Sequence, residues 1–266
     1  MVGSARIVVG GALLAAVALL AGRARLGSGD RRLVLLAGAF VAVYQASFFA
    51  AVADTGVAIG TVVALGSAPA FTGLFSRVFA GERLEPRWFA ATGLACAGVS
   101  LLTLAGGSGD ISAPGIGLAL AAGAGYAGYA VIGKHLLGRG GTPEGVMAAV
   151  FGTGAVILLP VVAVVDTGDL LGANGLALAA YLGAITTTLA YILFAKGLQR
   201  IGPSETATLT LAEPVTATVL GVAVLGERPT VAGALGAALV LSGLALLALR
   251  PEPRVRLRPR PSEAAA

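Results

Sequence analysis

Gly56-Val-Ala-Ile-Gly60 leads through Pro69 to Gly81-Glu82-Arg83, and Phe194-Ala-Lys-Gly-Leu-Gln-Arg-Ile-Gly-Pro-Ser204 leads through Glu213-Pro214 to Gly226-Glu227-Arg228. A shift of 145 residues lays the second stretch on the first without a gap. It sets Thr206 on Thr61, Pro214 on Pro69 and Gly226-Glu227-Arg228 on Gly81-Glu82-Arg83. Beyond them, Gly243 falls on Gly98 and Leu246-Leu247 on Leu101-Leu102. Apolar sequence of low complexity matches itself by chance, but a charged Gly-Glu-Arg in register with an upstream proline is a stronger signal. The chain is an internal duplication.

The duplicated unit is built for lipid. Hydrophobic residues make up 57% of the 266 residues and charged ones 12%, against roughly 45–50% and 25% in a soluble domain. The 40 glycines suit helices that pack closely in a membrane, where neighbouring helices re-satisfy the backbone. A bilayer crossing takes roughly 20 apolar residues. Nine stretches qualify: 5–22, 33–53, 56–79, 88–105, 114–136, 145–165, 174–196, 203–225 and 230–249. Short Gly, Ser, Asp and Pro connections separate them, and Pro114 and Pro203 fall at first-turn positions where a missing N–H costs nothing. The stretches are apolar all round rather than alternating over about ten residues, which excludes a β-barrel. The fold class is therefore all-α, an integral membrane bundle of about nine transmembrane helices. The first stretch continues into a basic loop and another span, so it reads as a retained helix and not a cleaved signal.

Charge sets the orientation. Sixteen of the 18 basic residues, from Arg23 and Arg25 through Lys134 and Lys196 to the tail after Arg250, fall on one side of this topology. Arg6 and Arg228 fall on the other. The positive-inside rule places the C-terminus in the cytoplasm and the N-terminus outside. This topology accounts for the net charge of +5 without nucleic acid as a partner. It also puts the first Gly-Glu-Arg inside and the second outside, so the repeats have opposite topology, as in many secondary transporters. The expected division is 1–105 for a first repeat of four helices, 106–113 for an external linker, 114–249 for a second repeat of five, and 250–266 for a basic, disordered cytoplasmic tail. Shifted back by 145, the helix 114–136 would fall at −31 to −9, before Met1. A late start of the gene model is favoured over true loss of that helix.

These residues resemble the EamA-type permeases of the drug/metabolite transporter superfamily, over essentially the whole chain up to Leu249. The start, Ala5-Arg6-Ile-Val-Val-Gly10, is similar to the second helix of that ten-helix family, and the first helix is the departure. The resemblance implies an exporter or exchanger of amino acids, other metabolites or toxic, drug-like compounds, driven by a proton or another ion gradient. It names no substrate.

Within the spans, Glu213 is the single deep ionisable group. It lies ten residues after Pro203, roughly 15 Å into the bilayer at 1.5 Å per residue. An intramembrane carboxylate must be protonated, paired or wet, and is a candidate for proton coupling or for binding a substrate amine. A protonated or backbone-bonded glutamate beside the Pro214 kink explains it equally well. Pro69 and Pro214 each remove a helical hydrogen bond, giving hinges for gating or fixed bends. Arg6 stands almost alone at the outer side, placed to attract an anionic group or to snorkel to the interface. Tyr44, Gln45, Tyr126, Tyr129 and Tyr191 supply the oriented polar groups that an apolar cavity needs. Thr186, Thr187 and Thr188 more simply bond their own helix.

The remaining chemistry is sparse. One cysteine excludes an intramolecular disulfide framework and a thiolate metal site, and one histidine leaves no histidine-based metal site and at most one His-containing triad. No phosphate-cradling G-x-x-x-x-G-K-[ST] loop occurs, which argues against direct ATP coupling, and no cofactor is called for. The reading is a secondary transporter of the bacterial cytoplasmic membrane, not an enzyme, working by alternating access on a small molecule in contact with membrane lipid. A homodimer is compatible with it. A membrane scaffold or sensor, or an intramembrane enzyme, are the alternatives.

Overall fold

The computed structural model describes residues 2–26, 31–104, 112–164, 173–225 and 230–249. The positions of the second Gly-Glu-Arg, most of the expected linker and the basic tail lie outside these residues. Every described regular element is helical. We label them α1 (Val2–Leu20), α2 (Arg31–Val57), α3 (Ile59–Ala80), α4 (Pro86–Leu104), α5 (Ala113–Gly138) and α6 (Pro143–Val164). The seventh, α7, joins Ala173–Tyr181 through a π-helical stretch, Leu182–Leu189, to Ala190–Arg200. The next crossing is split into α8 (Pro203–Thr210) and α9 (Ala212–Leu225), and α10 (Val231–Ala248) closes the bundle. Among the described residues seven helices, counting α8 with α9 as one, are long and apolar enough to cross a membrane. The apolar Arg6–Leu20 part of α1 is shorter, and α4 packs in the same bundle. The protein is a polytopic membrane helix bundle.

Local chemistry explains the boundaries. Gly56 adopts φ 81°, ψ 160° and reverses the chain between α2 and α3, a conformation open to glycine and closed to most other residues. A Cβ at Gly60 would lie 3.1 Å from the backbone of Val52, so both glycines of Gly56-x-x-x-Gly60 serve this hairpin rather than a contact with a separate helix. Ser112 accepts from the N–H of Gly115 and Thr230 from that of Gly233, each an N-cap that satisfies an orphan donor. Pro203 takes the first-turn place in α8 behind Gly202.

The duplication is visible in packing. A Cβ at Gly98 in α4 would lie 2.6 Å from the Gly236 carbonyl oxygen and 2.7 Å from the Val240 nitrogen in α10. Gly243, the equivalent of Gly98, backs onto Ala91 and Ala95, the equivalents of Gly236 and Val240. Partners fall along α10 as residues rise along α4, so the two helices run antiparallel. In the same way Gly38 of α2 meets Thr153 and Gly154 of α6, while its equivalent Gly183 of α7 meets Val9 and Gly10 of α1. The halves are related by a pseudo-two-fold that inverts them. Small residues make this possible because close helix contact in lipid rests on van der Waals packing.

The basic loops gather at one end of the bundle. Arg23 pairs with Glu144 at 3.1 Å, Arg87 donates to the Leu249 carbonyl at 3.2 Å, and the Ser204 hydroxyl donates to Glu82 at 3.0 Å. Lys134 gives its ammonium protons to the carbonyls of Leu198, Gln199 and Ile201, at 2.7, 3.1 and 3.0 Å. A cation there satisfies the open C-terminus of α7, as its position at a helix end suggests, although the helix it caps is a neighbour. Asp54, Ser112 and Gly115 meet at the opposite end.

Candidate functional site

Helices α1, α2, α5, α7 and the α8–α9 junction converge on one polar cluster. Tyr44 and Gln45 lie on α2, Tyr126 and Tyr129 on α5, Tyr191 on α7 and Arg6 on α1. Counted from helix ends at the basic side, Tyr44, Tyr129, Tyr191 and Glu213 lie roughly 14–20 Å in, the middle of a 30 Å hydrocarbon core. Their depth is a consequence of where each falls in its helix.

The tyrosines form a cage. Tyr126 and Tyr129 have ring centroids 5.2 Å apart, Tyr44 stands 6.2 and 6.1 Å from them, and Tyr191 stands 6.3 Å from Tyr129. Edge and tilted arrangements dominate, as the ring quadrupole favours. Phe48, Phe151 and Phe194 complete the walls, Phe151 lying 4.0 Å from Tyr191. The sequence reading missed these phenylalanines. The three-residue step from Tyr191 to Phe194, which puts both on one helix face, was the available signal.

Polar atoms point into this aromatic shell. Arg6 donates to the Gln45 side-chain oxygen at 3.3 Å. Gln45 is 1% exposed, yet its amide nitrogen has no protein partner, and neither does Arg6 Nε, while the hydroxyls of Tyr126 and Tyr129 lie beside those of Thr210 and Tyr191. Leaving such a group buried and unpaired costs about 1–3 kcal/mol. Two such donors at one locus are a concentration of unused donor capacity.

Glu213 stands at the rim. Tyr44, Tyr126 and Tyr191 are its neighbours, and Arg6 neighbours Tyr44 and Tyr191. The crossing breaks where Glu213 begins its second half: α8 ends at Thr210, and Glu213 occupies the first turn of α9. Pro214 supplies the reason, since it has no N–H for the Thr210 carbonyl. Leu211 between the two pieces keeps right-handed φ/ψ (−65°, −6°), so the interruption is one residue long. Pro69, its repeat equivalent, sits inside continuous α3, so the two prolines act differently: one accompanies a break and the other does not.

The π-helical stretch of α7 abuts the cluster. Thr186 and Thr187 bond the Leu182 carbonyl, and Thr188 that of Gly183. Those hydroxyls are occupied by their own helix, whereas the hydroxyls of Tyr126 and Tyr129 face groups on other helices, Thr210 and Tyr191. Widened turns of this kind recur at functional sites. Gly10 is required here, since a Cβ would lie 2.3 Å from Thr187 Cγ2. No group of three or more metal-binding side chains occurs among the described residues.

Comparison with known proteins places this architecture. The profile of the EamA-like transporter family matches residues 1–104 and 113–249. "Uncharacterized transporter YwfM" of Bacillus subtilis is 37% identical over 249 residues, covering 94% of this chain and 84% of that protein. "Uncharacterized inner membrane transporter YicL" of Salmonella typhimurium is 34% identical over 103 residues, covering 39% of this chain and 34% of that one. A solved crystal structure superposes with a TM-score of 0.77 at 25% identity, covering 92% of this chain and 85% of the other.

Proposed function

The chain belongs to the EamA-like transporter family; it is a transporter and not an enzyme, and on that premise we propose a substrate and a mechanism for it. The cage carries a small metabolite with a hydrogen-bond acceptor, such as a carboxylate, and an apolar body, a description that covers amino acids and drug-like acids. The observation supporting this is the pair of buried donors without protein partners, Arg6 Nε and Gln45 Nε2, beside the tyrosine hydroxyls of the cage. A substrate acceptor that takes these donors removes their cost, and the aromatic walls take its apolar part. Glu213, at the rim, binds a substrate amine or carries the coupling proton.

Transport follows by alternating access, with the inverted halves rocking about the cage and export or exchange as the direction. The split at Thr210–Ala212 supplies a hinge through Pro214, and Pro69 a second bend. The basic end faces the cytoplasm of a bacterial cell, with the C-terminus on that side. Residues 1–105 form the first repeat, 106–113 the external linker, 114–249 the second repeat and 250–266 a cytoplasmic tail.

The test is flux into liposomes holding the purified protein, across a panel of amino acids and amphipathic acids. A saturable flux of an acceptor-bearing member is expected; none for the whole panel counts against the reading. For Glu213→Gln, loss of the pH dependence of that flux is expected if the group couples protons, and wild-type pH dependence removes that role.

A further inference from the structure

Between the cage and the basic end lies a cavity of about 800 Å³. Leu33, Leu36 and Phe40 of α2 and Phe75 and Phe79 of α3 wall it, with Val131 and Ile132 of α5 opposite. None of the cage tyrosines lines it. Phe40 roofs it: a Cβ at Gly128 would lie 2.4 Å from the Phe40 ring, so the glycine lets that ring lie against α5 and part the two spaces. On its outer side the cavity has Leu36, 48% exposed, and Phe79, 76% exposed, apolar surface that in a membrane meets acyl chains.

The mouth has the opposite character. Lys134, His135 and Arg200 line it, and Glu82 is the one acid among the lining residues. That carboxylate already accepts from the Ser204 hydroxyl at 3.0 Å, and the three carbonyls around Lys134 hold its ammonium in place. A slot that is apolar along its length, open sideways and cationic at the level of the helix ends is complementary to one kind of molecule. Basic pockets between membrane helices take lipid headgroups in this way, and the volume falls within the 300–1,000 Å³ range of ligand pockets.

We propose that this cavity binds an anionic phospholipid of the leaflet at the basic end, its acyl chain along Phe40, Phe75 and Phe79 and its phosphate at His135 and Arg200. The site is separate from the cage and does not rest on the substrate proposed for it. The lipid fills the wedge between the α2–α3 hairpin and the α7–α8 junction, and so ties the two repeats together at this end.

Lipid retention by the purified protein in detergent, read by native mass spectrometry with phosphatidylglycerol and phosphatidylcholine of identical chains, tests this. Preferential retention of phosphatidylglycerol is expected. Arg200→Gln should weaken it about fivefold, the effect of one basic side chain near a charged headgroup. Arg139→Gln, at the same end but outside the cavity lining, should leave it unchanged. Equal retention of the two lipids, or equal weakening by the two variants, would overturn the assignment. So would displacement of the lipid by a substrate identified in the flux panel, which would make the cavity a vestibule of the transport path.

Discussion

The α2–α3 hairpin and the α7–α9 segment are the same piece of the duplication in two surroundings. Over the first lies α5, whose Gly123 and Gly125 sit on Ala64, Ser67 and the backbone of Phe40 and Tyr44. Ala64 and Ala68 are accordingly 2% and 4% exposed. At the equivalent positions of the second, Leu209 is 39% exposed, Ile185 46% and Leu189 48%, and Glu213 is exposed where Ala68 is buried. None of the described residues covers that face as α5 covers the first. The pseudo-two-fold fixes where the helices lie, while the cover decides which side chains a position can bear. Beneath Gly123 sit Ala64, Ser67 and Ala68; at the equivalents of Ala64 and Ala68 the second segment bears Leu209 and Glu213.

That contrast can be attacked by substitution. A leucine at Gly125 would force a Cβ within 3.0 Å of the Tyr44 and Phe40 backbone, and should cost about 3 kcal/mol or more. Leu209→Ala on the open face should stay within about 0.5 kcal/mol. Thermal unfolding in detergent compares them, and comparable losses would mean that the second face is covered too. Across the pseudo-two-fold, Gly98→Val and Gly243→Val each meet opposing backbone and should each destabilise by about 1–3 kcal/mol. Unequal losses would show that the halves do not share the load. In the cage, Tyr129→Phe removes one inward hydroxyl and should weaken substrate binding about three- to tenfold, the worth of one neutral hydrogen bond. Unchanged affinity in the liposome assay removes Tyr129 from the site. The smallest effect belongs to the basic end: Arg23 is exposed but its partner Glu144 is 6% exposed, and with Glu144 still in the first turn of α6, Arg23→Gln should cost about 1 kcal/mol. A larger loss would give that loop a role in holding α1 to α6.

Much of this was legible in the sequence because lipid leaves a helix few options. Apolar run length placed the crossings, and the 145-residue register set Gly243 on Gly98, two glycines that the structure places where α4 and α10 meet. The polar candidates Arg6, Tyr44, Gln45, Tyr126, Tyr129 and Tyr191 converge on one locus because rare polar groups in a span avoid lipid. Other features depend on tertiary neighbours and could not be read. The stretches 33–53 and 56–79 imply a turn between them, but that Gly56 makes it at φ 81° is not legible, since a positive φ leaves no spacing signature. Pro69 and Pro214 are identical in register, yet only the second accompanies a break. Phe40 lies on Gly128 because two helices meet there, a contact with no trace in either local sequence.

Distances between spin labels across the two ends give the sharpest test of inverted halves rocking about a shared cage. One pair, Arg83→Cys with Gln199→Cys, spans the repeats at the basic end; the other, Ala53→Cys with Val224→Cys, spans them at the opposite end, all four positions being exposed. With the protein in liposomes, saturating substrate from the flux panel should shift the two distances in opposite senses, one end closing as the other opens. Two distances that stay fixed, or that change in the same sense, would contradict alternating access between the repeats.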